Sequence, residues 1–369
     1  MKTIKFHSNN SKEKEFTHEV RKRVRAYFKS HHIPKSGNLN LYLKTVVMLA
    51  AYFVPFIVIL TYPISTLTAL FMAILMGIGE AGIGMSVMHD GAHGSYSSKK
   101  WVNKIMASTM FLLGSNNFNW RVQHNIKHHS YTNIYNYDLD ISNASIIRLC
   151  EHAPIKKYHR YQHIYAFPLY GLMTFARLFG EISVLLNLNK TGVTKQLNIN
   201  PTLELIKLIS IKIIYLAIII GLPLLLTSFS FWQILFGFIT LHVTAGMIMT
   251  TVFQMAHVVE GTHQPLPIKN NLIPHEWMIH ELRTTSDFGR KNGWFSWYIG
   301  GLDFQIEHHL FQNISHIHYP KIAPIVKETA EEYGFTYNLK PTMFHALGSH
   351  YRRLKELGKI NKISSIESI

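Results

Sequence analysis

Four stretches of this chain are too long and too uniformly apolar for the core of a soluble domain. Residues 44–62, 65–88, 206–227 and 231–256 are each dominated by aliphatic and aromatic side chains. Each matches the about 20 residues that a helix needs to cross the hydrocarbon of a bilayer. A soluble helix keeps a polar face, and these stretches have none of comparable length. A turn at Pro63 separates the first pair, and Ser228, Phe229 and Ser230 separate the second. Neither turn carries lysine or arginine, whereas the N-terminal segment, residues 94–205 and residues 257–369 carry nearly all of them. The positive-inside rule places those three regions in the cytosol.

The expected fold is therefore an all-α, multi-pass integral membrane protein with four transmembrane helices in two hairpins. A basic arm covers 1–43, and a single domain covers 44–369. Within that domain, residues 89–205 and 257–369 form a helical cap, and both termini are cytosolic. Two weaker apolar runs are read as interfacial or cap helices. Residues 102–116 are too short to span, and 164–187 are interrupted by Arg177 and Glu181.

The formal net charge is +16, and the arm contributes Arg21, Lys22, Arg23 and Arg25 without the apolar core or small-residue cleavage site of a signal peptide. A basic surface suits anionic lipid, an acidic protein or nucleic acid. No zinc-finger, helix-turn-helix or RNA-binding signature accompanies it, so membrane lipid and a protein partner fit and nucleic acid does not. The single cysteine, Cys150, excludes an intramolecular disulfide and any multi-cysteine metal site. Metal chemistry would have to rest on the 23 histidines.

Three histidine clusters stand out. His89-Asp90-Gly91-Ala92-His93 ends the second span, and its two imidazoles share one helix face at a spacing of four. His124-Asn125-Ile126-Lys127-His128-His129 repeats that step and adds an adjacent histidine, turned about 100° in an α-helix. Gln305-Ile306-Glu307-His308-His309 places Gln305 three and four residues before its histidines. A lone pair of this spacing means little: His159 and His163 show it too, and His275 and His280 are five apart, unlike a metalloprotease motif. His152, His159, His163, His275, His316, His318, His345 and His350 are read as surface or hydrogen-bonded structural residues.

The three clusters jointly hold seven histidines, more than one zinc takes, and the number suits two metals. Imidazole serves iron, copper, zinc or nickel, so residue type does not choose among them. His257, at the end of the fourth span, is an eighth candidate, because an ionisable group at that depth is costly without a partner. Asp90, Asp138, Asp140, Asp303 and Glu307 could each fix a ligand histidine through its second ring nitrogen.

HDGAH, HNIKHH and QIEHH, with paired apolar segments between and around them, resemble the three histidine boxes of the membrane fatty acid desaturases. The glutamine that opens the third box, GGLDFQIEHHLFQNISH around it, RTTSDF upstream and HRYQHIYAFPLYGL after the second box resemble the front-end members. The resemblance runs from His89 to the region of Tyr319. It implies two irons held by His89, His93, His124, His128, His129, His308 and His309, with Gln305 in or beside the ligand shell. It also strengthens the metal role of His257.

Many eukaryotic front-end members begin with a cytochrome b5 domain, whose His-Pro-Gly-Gly motif this arm lacks. A separate electron donor is therefore implied, such as ferredoxin or cytochrome b5 with its reductase. The implied reaction is O2-dependent desaturation of a long fatty acyl substrate, as acyl-CoA or lipid-bound. An unactivated C–H bond offers no acidic proton, which fits a site rich in metal ligands and poor in nucleophiles. A hydroxylase, acetylenase or ketolase using the same irons is the near alternative. A histidine-rich metal transporter is the distant one, since transporters place ligands near the bilayer midplane. Glu80 and His242 are the polar exceptions within the spans.

Overall fold

Asn38 and Ser65 set where the first two span helices begin. The Asn38 side chain accepts a hydrogen bond from the Asn40 amide, so the first helix covers Leu39–Thr61 and takes up residues expected to belong to the arm. It ends at Tyr62, which is extended, as the residue before a proline prefers. Ser65 caps Thr66–Gly82, and the winding continues through a π-helical turn, Ile83–Met88, into His89–His93. The third span starts at Pro201 under an Asn200 cap and also contains a π turn, Ala217–Gly221. The fourth is the helix Phe231–His257. By length and composition, Leu39–Thr61, Thr66–His93, Pro201–Leu226 and Phe231–His257 can each cross a membrane. Val46, Val54 and Ile57 of the first and Ile206, Ile213 and Leu225 of the third are exposed, an apolar surface that water would not tolerate and lipid would. The run expected as one helix over 164–187 is two, Gln162–Tyr170 and Met173–Lys190, bent by 86° at the break.

This computed structural model describes residues 3–142, 146–290 and 293–359. Its packing divides the chain into two units, Asn38–Arg121 with Phe167–Thr250, and Met1–Gly37 with Val122–Ala166 and Thr251–Ile369.

The first of these units is built on close helix approach. A Cβ on Gly79 would lie 2.6 Å from the Tyr52 amide nitrogen, and one on Gly77 would lie 2.6 Å from the Leu241 carbonyl. Glycine at these two positions lets the second span meet the first and the fourth. Buried polar groups pair inside it: Lys212 Nζ donates to the Gly114 carbonyl at 2.9 Å and to Glu181 at 3.3 Å, and Asn116 Nδ2 donates to Glu204 at 2.9 Å.

In the other unit the basic arm is a structured element. Ser11–Ser30 is an amphipathic helix whose Phe16, Val20, Val24 and Phe28 join a core with Met278, Leu282, Ile306, Leu310, Ile322 and Val326. Two short parallel pairings, Lys5–Phe6 with Leu272–Ile273 and Asp287–Phe288 with Leu339–Lys340, interrupt the otherwise helical fold. The third-box helix, Gln305–Leu310, lies wholly within this core.

Candidate metal centre

The second cluster does not keep the α-helical period expected of it. Arg121–His128 is π-helical, and the His129 amide donates to the His124 carbonyl at 3.0 Å, five residues back. The wider winding sets His129 over His124, with their Nε2 atoms 3.1 Å apart, while the His124 and His128 rings stack at 5.3 Å between centroids. Single π turns inserted among α turns are frequent at functional sites because they re-aim side chains without breaking the helix.

Asp138 fixes His128. Its Oδ2 accepts from His128 Nδ1 at 3.0 Å and from the Asn133 amide at 2.9 Å, and its Oδ1 accepts from the Asp140 amide at 3.0 Å. Asp140 lies 3.6 Å from the same imidazole nitrogen. Asn133, with φ of 59°, donates through Nδ2 to the carbonyls of His257 and Thr284. That side chain ties the loop after the second cluster to the end of the fourth span and to the helix Trp277–Thr284.

The third cluster has its own supports. His309 Nδ1 donates to Glu281 Oε2 at 2.8 Å, and His308 Nδ1 lies 3.2 Å from the Tyr319 hydroxyl. Thr132 Oγ1 donates to the same Glu281 oxygen at 2.8 Å. With Nδ1 committed as donor, His309 keeps its lone pair on Nε2. Gln305 is buried one turn before both histidines. Of the acids expected to serve ligands, Asp138 and Asp140 meet His128. Asp303 accepts instead from Ser296 Oγ, and Glu307 from the Tyr337 hydroxyl.

Six histidines of this unit converge. One ring nitrogen each from His128, His257 and His309 lie within 4.8 Å of one another, as do those of His129, His308 and His309; His124, His128 and Asp140 form a third such group. His309 and His128 each belong to two groups, so the donors form one continuous cluster rather than separate cages. All six are buried. Among the described residues, His128 Nε2 and both ring nitrogens of His257 are buried and have no hydrogen-bond partner. Leaving such atoms unsatisfied costs about 1–3 kcal/mol each, which a bound cation would offset. The donor set thus fits transition-metal ions that accept imidazole.

The remaining pair, His89 and His93, belongs to the span-bearing unit. Their rings lie 4.7 Å apart by centroids and both meet the edge or face of Trp120.

Burial opposes a charge on His128, but the adjacent Asp138 carboxylate overrides it and raises the imidazole to about 9. Burial pushes the Glu281 carboxyl up to about 8, and it lowers His280 to about 3. Glu307 is held well above the carboxylate range by burial and by Asp287 beside it.

The histidines set aside as structural have other partners. His350 Nδ1 donates to the Val258 carbonyl at 2.7 Å, His152 Nε2 to that of Gln264 at 2.7 Å and His318 Nε2 to that of Ser36 at 3.1 Å. His275 pairs with Glu13 at 2.9 Å, and His159 accepts from the Lys156 amide at 3.0 Å. Sequence reasoning missed Glu281, Thr132, Asn133 and Tyr319. Their only sequence signal is position beside a cluster or in the RTTSDF neighbourhood, since no fixed spacing links a carboxylate at 281 to an imidazole at 309.

Known proteins resemble this chain along most of its length. The profile of the family described as fatty acid desaturase matches residues 61–341. An sn-1 linoleoyl-lipid 6-desaturase of Synechocystis sp. is 34% identical over 345 residues, 93% of this chain and 96% of its own. The enzyme of the same name from Arthrospira platensis is 32% identical, covering 96% and 95%. An acyl-lipid (8-3)-desaturase of Physcomitrium patens is 34% identical, covering 92% of this chain and 71% of its own. With the buried histidine cluster and the four candidate spans, these matches show that the chain belongs to the fatty acid desaturase family.

Proposed function

We propose that this enzyme uses O2 to introduce a cis double bond into a long-chain fatty acyl group carried on a membrane lipid. The reading rests on one observation above others: the imidazoles of His124, His128, His129, His257, His308 and His309 converge in a buried cluster. In it, Asp138 and Glu281 hold the rings of His128 and His309 by their Nδ1 atoms. His89 and His93 complete the proposed ligand set by the family pattern, and Gln305 stands near it. When bound there, iron would supply the O2 activation and hydrogen abstraction that side chains cannot. The chain's own residues do the rest: they fix the imidazole tautomers, keep the centre dry, and hold one methylene pair of the acyl chain in place. A lipid-bound rather than a coenzyme A-bound substrate is favoured by the names of the relatives, which act on acyl lipids.

The positive-inside pattern supports a cytosolic placement of both termini and of the metal centre, with the spans as two hairpins. Electrons come from a separate carrier.

The test is expression in a host of defined lipid content, with linoleoyl lipid supplied and a competent reductase present. Mass spectrometry that locates double bonds should find a new one on the carboxyl side of the existing pair. A product that gains oxygen without a new double bond would assign the chain to the hydroxylases instead. No new unsaturation across several acyl chains would overturn the reading altogether.

A further inference from the structure

The N-terminal helix Ser11–Ser30 buries one face and leaves another strongly charged. At about 100° per residue, Lys14, His18, Arg21 and Arg25 fall within one narrow strip of its surface, and Lys22 and Lys29 flank it. All six are exposed. Arg23, off this strip, is paired with Glu19 and Glu332, and Lys22 with Glu19. Among the described residues, Lys14, Arg21 and Arg25 have no acid within ion-pair distance. The strip borders a groove whose far wall is Glu276.

That wall leads inward. Glu13, on the buried side of the same helix, accepts from the Glu276 amide at 2.9 Å and pairs with His275 at 2.9 Å. Glu276 immediately precedes the helix Trp277–Thr284, and Glu281 on that helix accepts from His309 Nδ1. A single short helix therefore connects the floor of the basic groove to a histidine of the cluster.

We infer that this groove is the docking surface for the enzyme's electron donor, an acidic one-electron carrier protein. The inference rests on the desaturase reading and adds the place and charge of the partner. Forming one double bond removes two hydrogens from the acyl chain and reduces one O2 to two waters. The balance requires two further electrons and two protons, so two reduced carriers each dock, give one electron and leave oxidised. A surface that works by such repeated encounters gains from unpaired exposed charge, which speeds association without slowing release. An anionic membrane surface is the competing occupant. The helix has no large apolar side chain exposed, so it lacks what an interfacial helix inserts among headgroups.

The test uses full-length enzyme in neutral detergent, with Arg21→Glu/Arg25→Glu and, as a milder variant, Arg21→Gln/Arg25→Gln. Binding of an acidic [2Fe–2S] ferredoxin is measured by biolayer interferometry on both metal-free and iron-loaded protein, over a range of salt. The double reversal should weaken carrier binding about tenfold or more at low salt and flatten its salt dependence, with the glutamine variant intermediate. Single turnover of iron-loaded protein, reduced anaerobically with stoichiometric dithionite and then exposed to O2, should be unchanged, while the KM for ferredoxin in steady-state turnover rises. Unchanged ferredoxin binding in both variants overturns the inference. So does a loss confined to vesicles containing phosphatidylglycerol, which would assign the strip to the membrane. Because binding is read on metal-free protein, its failure is distinct from a failure to desaturate, which the single turnover of pre-reduced protein reports.

Discussion

Glu281 offers the sharpest test of how the cluster is held. Its Oε2 accepts from His309 Nδ1 and from Thr132 Oγ1, both at 2.8 Å, inside a fully buried site. In Glu281→Ala both donors lose this oxygen. Thr132 has a second acceptor, the His128 carbonyl at 2.8 Å, so its hydroxyl stays satisfied. The imidazole N–H of His309 also lies 3.2 Å from the Thr132 hydroxyl, a longer contact than the one it loses. Loss of this buried hydrogen bond should cost about 0.5–1.5 kcal/mol of stability in the metal-free protein. The released ring should cost about 10–100-fold in metal affinity, as removal of an outer partner of a ligand histidine does.

Glu281→Gln discriminates the cause. Burial holds the carboxyl at about 8, so at neutral pH the metal-free site presents a mostly uncharged group. Glutamine is its neutral isostere and keeps a carbonyl oxygen for His309. Metal affinity in this variant should stay within about threefold of the original, or about 0.6 kcal/mol. Chelator competition on purified protein and thermal unfolding of the metal-free form measure both quantities. If Glu281→Ala binds metal as tightly as the unaltered protein, the orienting role is wrong. If glutamine is as damaging as alanine, charge rather than hydrogen bonding is what the site needs.

Other expectations follow from the same geometry. His257→Leu removes two buried nitrogens that have no hydrogen-bond partner among the described residues, so the stability of the metal-free protein should stay within about 1 kcal/mol of the original or rise. Metal affinity, read by chelator competition, should fall at least about tenfold. Gly79→Ala places a Cβ 2.6 Å from the Tyr52 amide nitrogen, and unfolding in detergent should show a loss of about 1–3 kcal/mol. His350 is held neutral at about 4 by burial, below its unfolded value of 6.5. Its contribution is complete above 6.5 and is lost as pH falls through 4, about 3 kcal/mol in total. His350→Gln should flatten the stability profile over that window, as followed by denaturant titration at several pH values.

The sequence alone determined the features that are local along the chain. Apolar length marked four candidate spans, and their caps at Asn38 and Asn200 moved two boundaries by only a few residues. The first histidine cluster was legible because residues four apart share an α-helix face, and the other two because each ends in adjacent histidines. His257 was visible as an ionisable group at the end of an apolar run.

Tertiary structure alone decided what holds those histidines. Asp138 and Asp303 look equivalent in sequence, yet one meets His128 and the other meets Ser296. Glu281 reaches His309 across 28 residues, a pairing set by where two short helices pack and by no periodicity. The π winding of Arg121–His128 was likewise hidden, since α and π turns share residue types and differ in which carbonyl the amide finds. The basic arm was read as charge, and only its packing showed Phe16, Val20, Val24 and Phe28 in a common core with the third-box helix. Local pattern marks the candidate histidines because it lies along the chain. Their partners come from distant chain segments, and burial decides which of several similar acids is close enough to serve.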